Sequence, residues 1–415
     1  MLFADVIIDI SHENLDRTYQ YRVPDELVSE AVIGAPVEIP FGAGNRSVKG
    51  YLIGLSREPK IDINRIKPLN AIEKKGLVME SRMIALAARM KELFGGTMND
   101  ALRTVMPVKR SVKPVNQRTV QSAMPRDTVQ ELYEQALKKH HTAKQRLLKE
   151  LLTEGSADYD LLVKKLNISR KTIADLEDAG VIRIVTERKY RNPISFDNDR
   201  TNTVVLNEEQ EEAVRKITED YRNGRRKTYL LHGVTGSGKT EVYLNVIEEV
   251  IKSGKQVVVM IPEIALTYQT VKRFRKRFGE RVSFLHSRLS DGEKYDQYNR
   301  AEQGEIDVII GPRSALFAPL PEVGLIVIDE EHENSYKSEQ VPKYHARELA
   351  LEYAKMVGAS VLLGSATPST ESFYRAEKGE FTLLQLKHRP KDALLPSVHI
   401  IDMREELKAH HTSIF

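Results

Sequence analysis

Residues 201–386 alternate apolar runs with helical patterns, and this alternation restricts the fold more than any other feature of the chain. One helical stretch is EVYLNVIEEVIK, in which Val242, Val246 and Val250 recur every four residues. Such alternation predicts an α/β domain with a mainly parallel sheet, whose ligands bind at the carboxyl ends of the strands. The runs expected to form strands are TYLLHG, QVVVMIP, VSFLH, DVIIG, LIVIDE and SVLLGS.

The segment GVTGSGKT follows the first of these runs and precedes the amphipathic helix. It satisfies G-x-x-x-x-G-K-[ST] in the strand–loop–helix context of a P-loop, so it predicts binding of a nucleoside triphosphate. Lys239 would supply charge to the β- and γ-phosphates, and Thr240 a hydroxyl to Mg²⁺. The candidate ATP-binding residues of this segment are Gly233, Val234, Thr235, Gly236, Ser237, Gly238, Lys239 and Thr240.

A second motif ends the run LIVIDE, where Asp329, Glu330 and Glu331 precede His332. In a P-loop fold, an apolar strand that ends in aspartate is a Walker B strand, and its Asp329 is expected to hold Mg²⁺. Glu330 can polarise the attacking water. The alternative is an acidic surface turn, but a divalent ion and Lys239 would offset the repulsion among these carboxylates.

The residues before this domain divide into three regions. Residues 1–105 begin with β-rich patterns punctuated by glycine and proline, which suggests a small barrel or sandwich, and end in helical sequence. Residues 106–128 contain three prolines and few apolar residues, so they read as a linker. Residues 129–198 combine an amphipathic helix, two short helices and the strand-like VIRIVTERKYR, a winged-helix pattern in which Ser169 is a plausible N-cap.

Charge is concentrated in the middle of the chain. Residues 101–200 contain 20 Lys+Arg and 13 Asp+Glu, whereas the whole chain has a net charge of +4, so the remaining residues carry −3. A basic middle suggests contact with an anionic polymer, although an ordinary solvated surface stays open. Arg170 and Lys171 could meet DNA phosphates, or the module could dock a protein.

Composition excludes several classes of protein. The chain has no cysteine, so it contains neither a disulfide nor a thiolate metal site, in keeping with a cytoplasmic location. No apolar run is long enough to span a bilayer. The N-terminal MLFADVIIDIS carries Asp5 and Asp9 and lacks a basic start, so it is not a signal peptide. We therefore expect a cytoplasmic protein with no membrane partner.

Further motifs resemble those of superfamily 2 DExH helicases, in the same order. DEEH resembles the DExH box, LNEEQ the Q-motif, PEIALTYQ motif Ia, GPRSALFAP motif Ib and GSATPS motif III. No NKxD-like base reader or ABC signature follows the P-loop, which disfavours a GTPase or a transporter ATPase. DEEHENSYKSEQVPKYHARELA, RTYQYRVP and VEIPFGAGNRSVKGYLIG narrow the resemblance to the PriA family (primosomal protein N′), although Pro312 stands where threonine is common.

This resemblance implies a multidomain chain. A 3′-DNA-end-binding β-rich domain would span 1–105, a winged helix 129–198 and a RecA-like helicase lobe 1 residues 199–386. Residues 387–415 would begin lobe 2, which in this family carries a zinc-binding cysteine cluster and an arginine finger. Because the 415 residues contain neither, we expect Zn²⁺ only in a missing C-terminal part, and a chain that binds DNA but hydrolyses ATP poorly.

The resemblance also implies site residues. Gln210 would read the adenine edge, and His332 would join Lys239, Asp329 and Glu330 as a catalytic candidate. Ser365 and Thr367 would couple the state of ATP to DNA contact. The DNA-binding candidates are Tyr19, Gln20, Gly42 and Lys67 around a 3′ end, and Arg313, Ser314, Tyr336, Lys337, Lys343, Tyr344 and Arg347 along a single strand, with the tyrosines stacking on bases.

The function implied is that of an ATP-dependent 3′→5′ DNA helicase that recognises stalled or abandoned replication forks and starts primosome assembly, with ATP and Mg²⁺ as cofactors. Its partners would be forked and single-stranded DNA, other primosome proteins, single-stranded-DNA-binding protein and the replicative helicase loader, in the nucleoid-associated cytoplasm of a bacterium. The alternatives are another superfamily 2 DNA translocase and a non-catalytic fork-binding module.

Overall fold

A computed structural model of the chain describes residues 1–73, 80–106, 115–189, 205–389 and 401–408. These residues form an N-terminal antiparallel sheet, a small central unit and a large parallel sheet. None of the helices in these ranges is long and apolar enough to cross a membrane.

The N-terminal sheet confirms the predicted β-rich region. Its strands are β1 (Leu2–Ile8), β2 (Tyr19–Val23), β3 (Pro36–Phe41), β4 (Arg46–Ser56) and β5 (Ala71–Ile72). They are antiparallel in the order β2-β1-β4-β3-β5. Strands β1 and β4 approach closely at Gly50, where an added Cβ would lie 2.7 Å from the carbonyl oxygen of Ile7, so a larger residue would separate them.

Two helices follow this sheet, α1 (Ser81–Phe94) and α2 (Met98–Val105). A capping box between Thr97 and Asp100 begins α2. The buried face of both helices belongs to the same hydrophobic cluster as the large parallel sheet. Arg89 of α1 also donates from Nε to the Glu352 carboxylate at 2.8 Å. The predicted N-terminal domain, which ends at residue 105, therefore includes two helices that pack on the large parallel sheet.

The central unit contains β6 (Val115–Ser122), α3 (Arg126–Lys138), α4 (Thr142–Glu154), β7 (Ser156–Asp158), α5 (Tyr159–Lys164), α6 (Arg170–Asp178) and β8 (Ile182–Lys189). Its sheet has the antiparallel order β7-β6-β8. Ser169 caps α6 by accepting from the Thr172 N–H at 3.1 Å, as predicted.

Strand β6 corrects the predicted linker at 106–128. Residues 115–122 pair with β8 along its whole length, from Val115 opposite Lys189 to Ser122 opposite Ile182. The segment has few apolar residues because backbone pairing holds it, with Val120 buried in the core of the unit. Residues 107–114 of the predicted linker, and Tyr190 and Arg191 of the predicted wing strand, lie outside the described residues.

The large sheet confirms the predicted parallel α/β domain. Its strands are β9 (Thr228–Gly233), β10 (Gln256–Met260), β11 (Val282–Phe284), β12 (Val308–Gly311), β13 (Val323–Asp329), β14 (Ser360–Ser365) and β15 (Thr382–Leu386). They pair in parallel in the order β11-β12-β10-β13-β14-β9-β15. The helices are α7 (Glu208–Arg222), α8 (Lys239–Lys252), α9 (Tyr268–Phe278), α10 (Asp291–Glu302), α11 (Ala346–Val357), α12 (Thr370–Glu377) and α13 (Met403–Lys408).

This sheet is buried on both faces. Along β10, Val257 and Val259 belong to one hydrophobic cluster, whereas Val258 and Met260 belong to the other. Strands buried on both faces need apolar residues at every position rather than at alternate positions. For this reason the strands could be predicted from the sequence. Because β14 lies between β9 and β13, the carboxyl ends of these three strands meet at one edge, and the motifs that follow them meet there too.

Candidate active site and the loop beside it

The P-loop joins β9 to α8 by a tight turn that requires glycine. Gly236 and Gly238 have φ of +81° and +82°, which side chains rarely adopt. At Gly233 an added Cβ would lie 2.6 Å from Ser237 Oγ, so the loop closes on itself too tightly for a larger residue. The resulting turn places the start of α8, with its free N–H groups, at the edge of the sheet.

Lys239 is buried at the start of α8 and points back across the turn. Its Nζ donates to the Gly233 carbonyl at 2.9 Å and lies 3.8 Å from Glu330 Oε1. Inside the same turn the Ser237 hydroxyl is fully buried and has no hydrogen-bond partner among the described residues. A buried cation and an unpaired donor beside a helix N-terminus fit a bound phosphate group.

Asp329, at the end of β13, is reached by a side chain that the sequence did not single out. Tyr243 of α8 donates its hydroxyl to Asp329 Oδ1 at 3.0 Å. Space for that hydroxyl exists because residue 364 is glycine: an added Cβ there would lie 1.5 Å from the Tyr243 oxygen. Burial, and then the neighbouring Glu330, raise the pKa of Asp329 above its ordinary value.

Thr240 and Asp329 are the residues that would hold Mg²⁺. Among the described residues, no cluster of three or more His, Cys, Asp or Glu side chains could hold a metal ion. A single carboxylate and a hydroxyl suit an ion that keeps several waters and arrives with phosphate, which is how Mg²⁺ is usually bound. The side chains present therefore fit a magnesium–nucleotide complex rather than a metal held by protein alone.

Glu330 has an unusual backbone conformation, with φ of +45°. Its two carboxylate oxygens face different partners, with Oε1 3.8 Å from Lys239 Nζ and Oε2 3.7 Å from His332 Nδ1. A residue other than glycine in the left-handed region is strained and persists only where its surroundings hold it, as happens at active sites.

The neighbouring Glu331 keeps the backbone of Glu330 in this conformation, because Glu331 is fully buried and bonded to several other residues. It accepts from the Ser369 N–H at 2.6 Å, the Ser372 hydroxyl at 2.9 Å and Arg347 Nη1 at 2.6 Å. Burial by itself would raise the pKa of Glu331, but the Ser369 N–H and Arg347 bonds lower it below its ordinary value. One carboxylate therefore joins the end of β13, the start of α11 and the segment that begins α12.

His332 brings together the two predicted coupling residues. Its Nδ1 lies 2.7 Å from the Ser365 hydroxyl, and its Nε2 lies 3.4 Å from Thr367 Oγ1. The Thr367 N–H in turn donates to Ser365 Oγ at 3.0 Å. The side chain after the carboxylates is thus bonded to the turn that follows β14.

Gln210 has contacts other than the predicted one. Its amide oxygen accepts from the Asn207 N–H at 2.9 Å as part of the capping box of α7, and its Nε2 donates to the Ser237 carbonyl at 2.7 Å. The side chain is buried. Gln210 therefore braces the P-loop from the side instead of presenting an edge to a base.

The loop from 333 to 345 and the start of α11 correct three predictions. Tyr336 and Tyr344 are 1% and 4% exposed, so the prediction that they stack on bases is wrong. The Tyr336 hydroxyl lies 2.6 Å from the Asp329 carbonyl oxygen, and Tyr344 packs edge-on against Phe317. Arg347 is also buried and is bonded to Glu331, so the prediction that it meets phosphate is wrong as well. The aromatic residues anchor the loop instead of lining its surface.

Three basic side chains and one serine remain accessible on this loop and on the turn after β12, beside the exposed Glu339. Lys337, Lys343 and Ser314 are exposed, and Arg313 is partly exposed. Arg313 Nη1 donates to the Lys337 carbonyl at 2.6 Å, which joins the turn after β12 to the loop after β13. These four residues therefore remain candidates for contact with nucleic acid, and we call them the basic face.

In the N-terminal sheet, three of the four predicted residues come together. Tyr19 packs edge-on against Phe41 at 5.2 Å, and Lys67 Nζ donates to the carbonyl of the adjoining Gly42 at 2.8 Å. The Arg17 guanidinium lies 5.0 Å from the Tyr19 ring centre, a contact that the sequence did not reveal. We call Arg17, Tyr19, Phe41, Gly42 and Lys67 the N-terminal pocket.

Gln20, the fourth predicted residue, has other partners. Its amide oxygen accepts from the Lys60 N–H at 2.6 Å, and its Nε2 donates to the Glu58 carbonyl at 3.4 Å. Neighbouring residues of a strand face opposite sides, so Gln20 holds the turn after β4 while Tyr19 faces Phe41.

The N-terminal region and the loop are also in contact. An added Cβ at Gly96, in the turn between α1 and α2, would lie 2.9 Å from Val341 of the loop. Asp16, just before β2, accepts from the Met98 N–H at 2.8 Å and pairs with Lys91 Nζ at 2.6 Å. The strand that carries Tyr19 is therefore tied to the turn on which the loop rests.

Two known protein families match this chain, one over the candidate active site and the other over the N-terminal sheet. The family "Type III restriction enzyme, res subunit" matches residues 203–370, and the family "3'DNA-binding domain (3'BD)" matches residues 5–107. The seven-stranded parallel sheet and the match to the type III restriction family together fit the class of RecA-like helicase lobes.

Two relatives with the same name match nearly all of this chain. The replication restart protein PriA of Bacillus subtilis is 33% identical over all of this chain and 59% of its own length. PriA of Chlamydia muridarum is 34% identical over 98% of this chain and 54% of its own length. The chain is therefore similar to PriA over nearly all of its residues and spans somewhat more than half the length of these two relatives. A structure of RecG bound to a three-way DNA junction is 24% identical, with a TM-score of 0.36, over 46% of this chain and 25% of RecG.

Proposed function

We propose that this chain is the ATP-binding and DNA-end-binding part of an ATP-dependent DNA helicase that acts in replication restart. The observation that carries the proposal is the Glu331 network, which joins the Walker B strand, the start of α11 directly after the loop of the basic face, and the segment after β14. Such a network gives the ATPase centre a physical connection to a surface that can contact DNA. The relatives named replication restart protein PriA support the same role.

In the ATPase reaction, the P-loop N–H groups and Lys239 bind the β- and γ-phosphates of the substrate ATP. Thr240 and Asp329 would hold Mg²⁺, which neutralises phosphate charge. Glu330 orients the attacking water and accepts its proton, since its carboxylate faces Lys239 at the mouth of the turn. His332 holds Ser365 and Thr367 in place, so a change at the nucleotide is passed to the turn after β14.

We propose that the N-terminal pocket binds the 3′ end of a DNA strand. Tyr19 stacks on the terminal base and Lys67 meets a phosphate, while Gly42 allows close approach. The basic face contacts the single-stranded backbone. The central unit is proposed to be a winged helix whose exposed Arg170 and Lys171 meet duplex phosphates or a protein. We also propose that translocation along DNA runs 3′→5′. The partners in this proposal are the other primosome proteins, single-stranded-DNA-binding protein and the helicase loader.

Fork binding tests the proposal directly. Model forks with and without a free 3′-OH at the leading strand are titrated with the chain and with Tyr19→Ala. We expect the chain to prefer the free 3′-OH about tenfold and Tyr19→Ala to lose that preference, because stacking on one base contributes about 1–3 kcal/mol. Equal affinity for all combinations would refute the pocket. Lys239→Ala should abolish nucleotide binding and leave fork binding unchanged.

The match to the type III restriction family supports a second candidate, a general superfamily 2 DNA translocase. It predicts the same nucleotide binding without any preference for a free 3′-OH. A non-catalytic fork-binding module predicts the preference without nucleotide binding. The two titrations therefore separate all three functions.

A further inference from the structure

The chain that follows β15 lies against the outer side of the P-loop. The Val234 N–H donates to the Leu386 carbonyl at 3.3 Å, because β15 is the neighbour of β9 and both end at the same edge. Three residues later, Arg389 Nε donates to the Thr235 carbonyl at 3.0 Å. Its side chain also lies 3.9 Å from the position that a Cβ of Gly236 would occupy. The Arg389 guanidinium thus lies beside the exposed part of the phosphate-binding turn.

Glu209, in the first turn of α7, holds this segment in place. Its Oε2 accepts from the N–H groups of Lys387 at 2.8 Å and His388 at 3.0 Å. Its Oε1 lies 2.7 Å from His388 Nδ1. The next residue, Gln210, is bonded to the Ser237 carbonyl on the other side. Glu209 and Gln210 therefore fix the segment 386–389 and the P-loop to the same helix end.

These contacts leave open which residue contacts the base of a bound nucleotide. A P-loop binds the phosphates of a nucleotide, so the base must lie on a neighbouring surface. Gln210 is buried and both ends of its amide are bonded within the chain, so base contact must come from another residue. Among the described residues, Arg389 shows a contact only through Nε, which leaves the rest of its planar guanidinium available. Such a plane stacks well on an aromatic ring.

We propose that Arg389 contacts the base of the nucleotide bound at the P-loop, with its guanidinium plane against the face of a purine, and that Glu209 is the positioning residue that keeps Arg389 there. The inference rests on the proposed ATP binding and extends it to the base. A planar cation recognises a purine face without reading its edge. The site should therefore bind ATP and GTP with similar affinity and should bind both more tightly than a nucleotide with a smaller pyrimidine ring.

Calorimetric titration with ATP and with inorganic tripolyphosphate, both with Mg²⁺, separates base contact from phosphate contact. Arg389→Ala should weaken ATP binding roughly tenfold, within the range of a desolvated cation–π contact, and leave tripolyphosphate binding unchanged. Arg389→Lys should lose most of the same affinity because it keeps the charge without the plane. Arg215→Ala is a matched control, since Arg215 is an exposed arginine on α7 with an ion pair to Glu219.

Two results would overturn the inference: equal losses for ATP and tripolyphosphate, which would place Arg389 on a phosphate, or no loss for either ligand. If the unmodified chain binds neither ligand, the proposed function fails and the inference falls with it. Lys239→Ala, by contrast, should lose both ligands.

A double-mutant cycle tests the positioning role of Glu209. Glu209→Ala should reproduce the loss of ATP affinity, because residues 387–389 are released from α7. The double variant Glu209→Ala/Arg389→Ala should bind no more weakly than Arg389→Ala, since both act through one contact. Additive losses would mean that Glu209 acts on the nucleotide independently of Arg389, which contradicts its assignment.

Discussion

The candidate active site and the N-terminal pocket differ in how their side chains are held. In the active site, Ser237 and Glu331 are fully buried, and Glu331 accepts from three residues. In the pocket, Tyr19 and Lys67 are partly exposed, and the Lys67 side chain makes a single hydrogen bond within the part of the chain that the structure describes. A substitution in the first region should therefore change folding and function together. A substitution in the second should change ligand binding alone.

The largest effect is expected for Arg347→Ala. It leaves the Glu331 carboxylate buried without its cation, which costs about 3–5 kcal/mol in the free energy of unfolding. Urea denaturation followed by circular dichroism measures the loss. Lys343→Ala, at an exposed lysine in the loop just before α11, is the control and should stay within about 0.5 kcal/mol. A loss below 1 kcal/mol for Arg347→Ala would contradict the buried ion pair.

The same pair should be visible in the pH dependence of stability. Because the pKa of Glu331 is lowered on folding, its contribution is complete above the ordinary glutamate value of about 4.3 and is lost as pH falls through the folded value. Glu331→Gln should therefore flatten the decline in stability below about pH 4. An unchanged slope in that variant would show that other carboxylates cause the decline.

Gly364→Ala should have the next largest effect. The added methyl would lie 1.5 Å from the Tyr243 oxygen, so α8 or β14 must shift, at about 1–3 kcal/mol. Thermal unfolding measures this change. Gly44→Ala, in the turn between β3 and β4, would place its Cβ with nothing within 4 Å and should be nearly neutral. Tyr243→Phe in the Gly364→Ala background should recover part of the loss, because the nearest atom is then a ring carbon.

In the N-terminal pocket, Lys67→Ala should weaken binding to a fork with a free 3′ end about 2- to 12-fold, as for the loss of one ordinary hydrogen bond at a partly exposed site. The melting temperature should not change, since Lys67 donates only to the Gly42 carbonyl. Lys49→Ala, at an exposed lysine of the same sheet that pairs with Glu73, controls for loss of charge. Equal losses in both variants would reduce the pocket to a general basic surface.

The smallest effect is expected for Asp329→Asn in the absence of nucleotide. Burial raises the pKa of Asp329, so its charge destabilises the folded state near neutral pH, and its removal should stabilise the protein by about 1 kcal/mol or less. A melting curve with ATP and Mg²⁺ should show the opposite order, because the variant lacks the carboxylate that would hold the ion. A destabilised variant without nucleotide would contradict the sign.

The large sheet could be predicted from the sequence because its strands are continuous apolar runs. The P-loop could be predicted because its motif stands between an apolar run and an amphipathic helix. The sequence was not sufficient for side chains whose role depends on distant partners. Tyr336 and Arg347 were read as surface residues of a polar loop, but the Asp329 carbonyl and Glu331 draw them into the core. The strand β6 was missed because its partner β8 lies 60 residues further along the chain.

The packing of α1 on the large sheet has a consequence for the order in which the molecule folds. Arg89 is bonded to Glu352, 263 residues further along the chain. At a synthesis rate of about 5–20 residues per second, α1 waits roughly 10–50 s after it is made for its partner helix. During that time its apolar face has no cover from α11. This chain is therefore expected to depend on chaperones while it is being synthesised, more than its separate sheets would suggest.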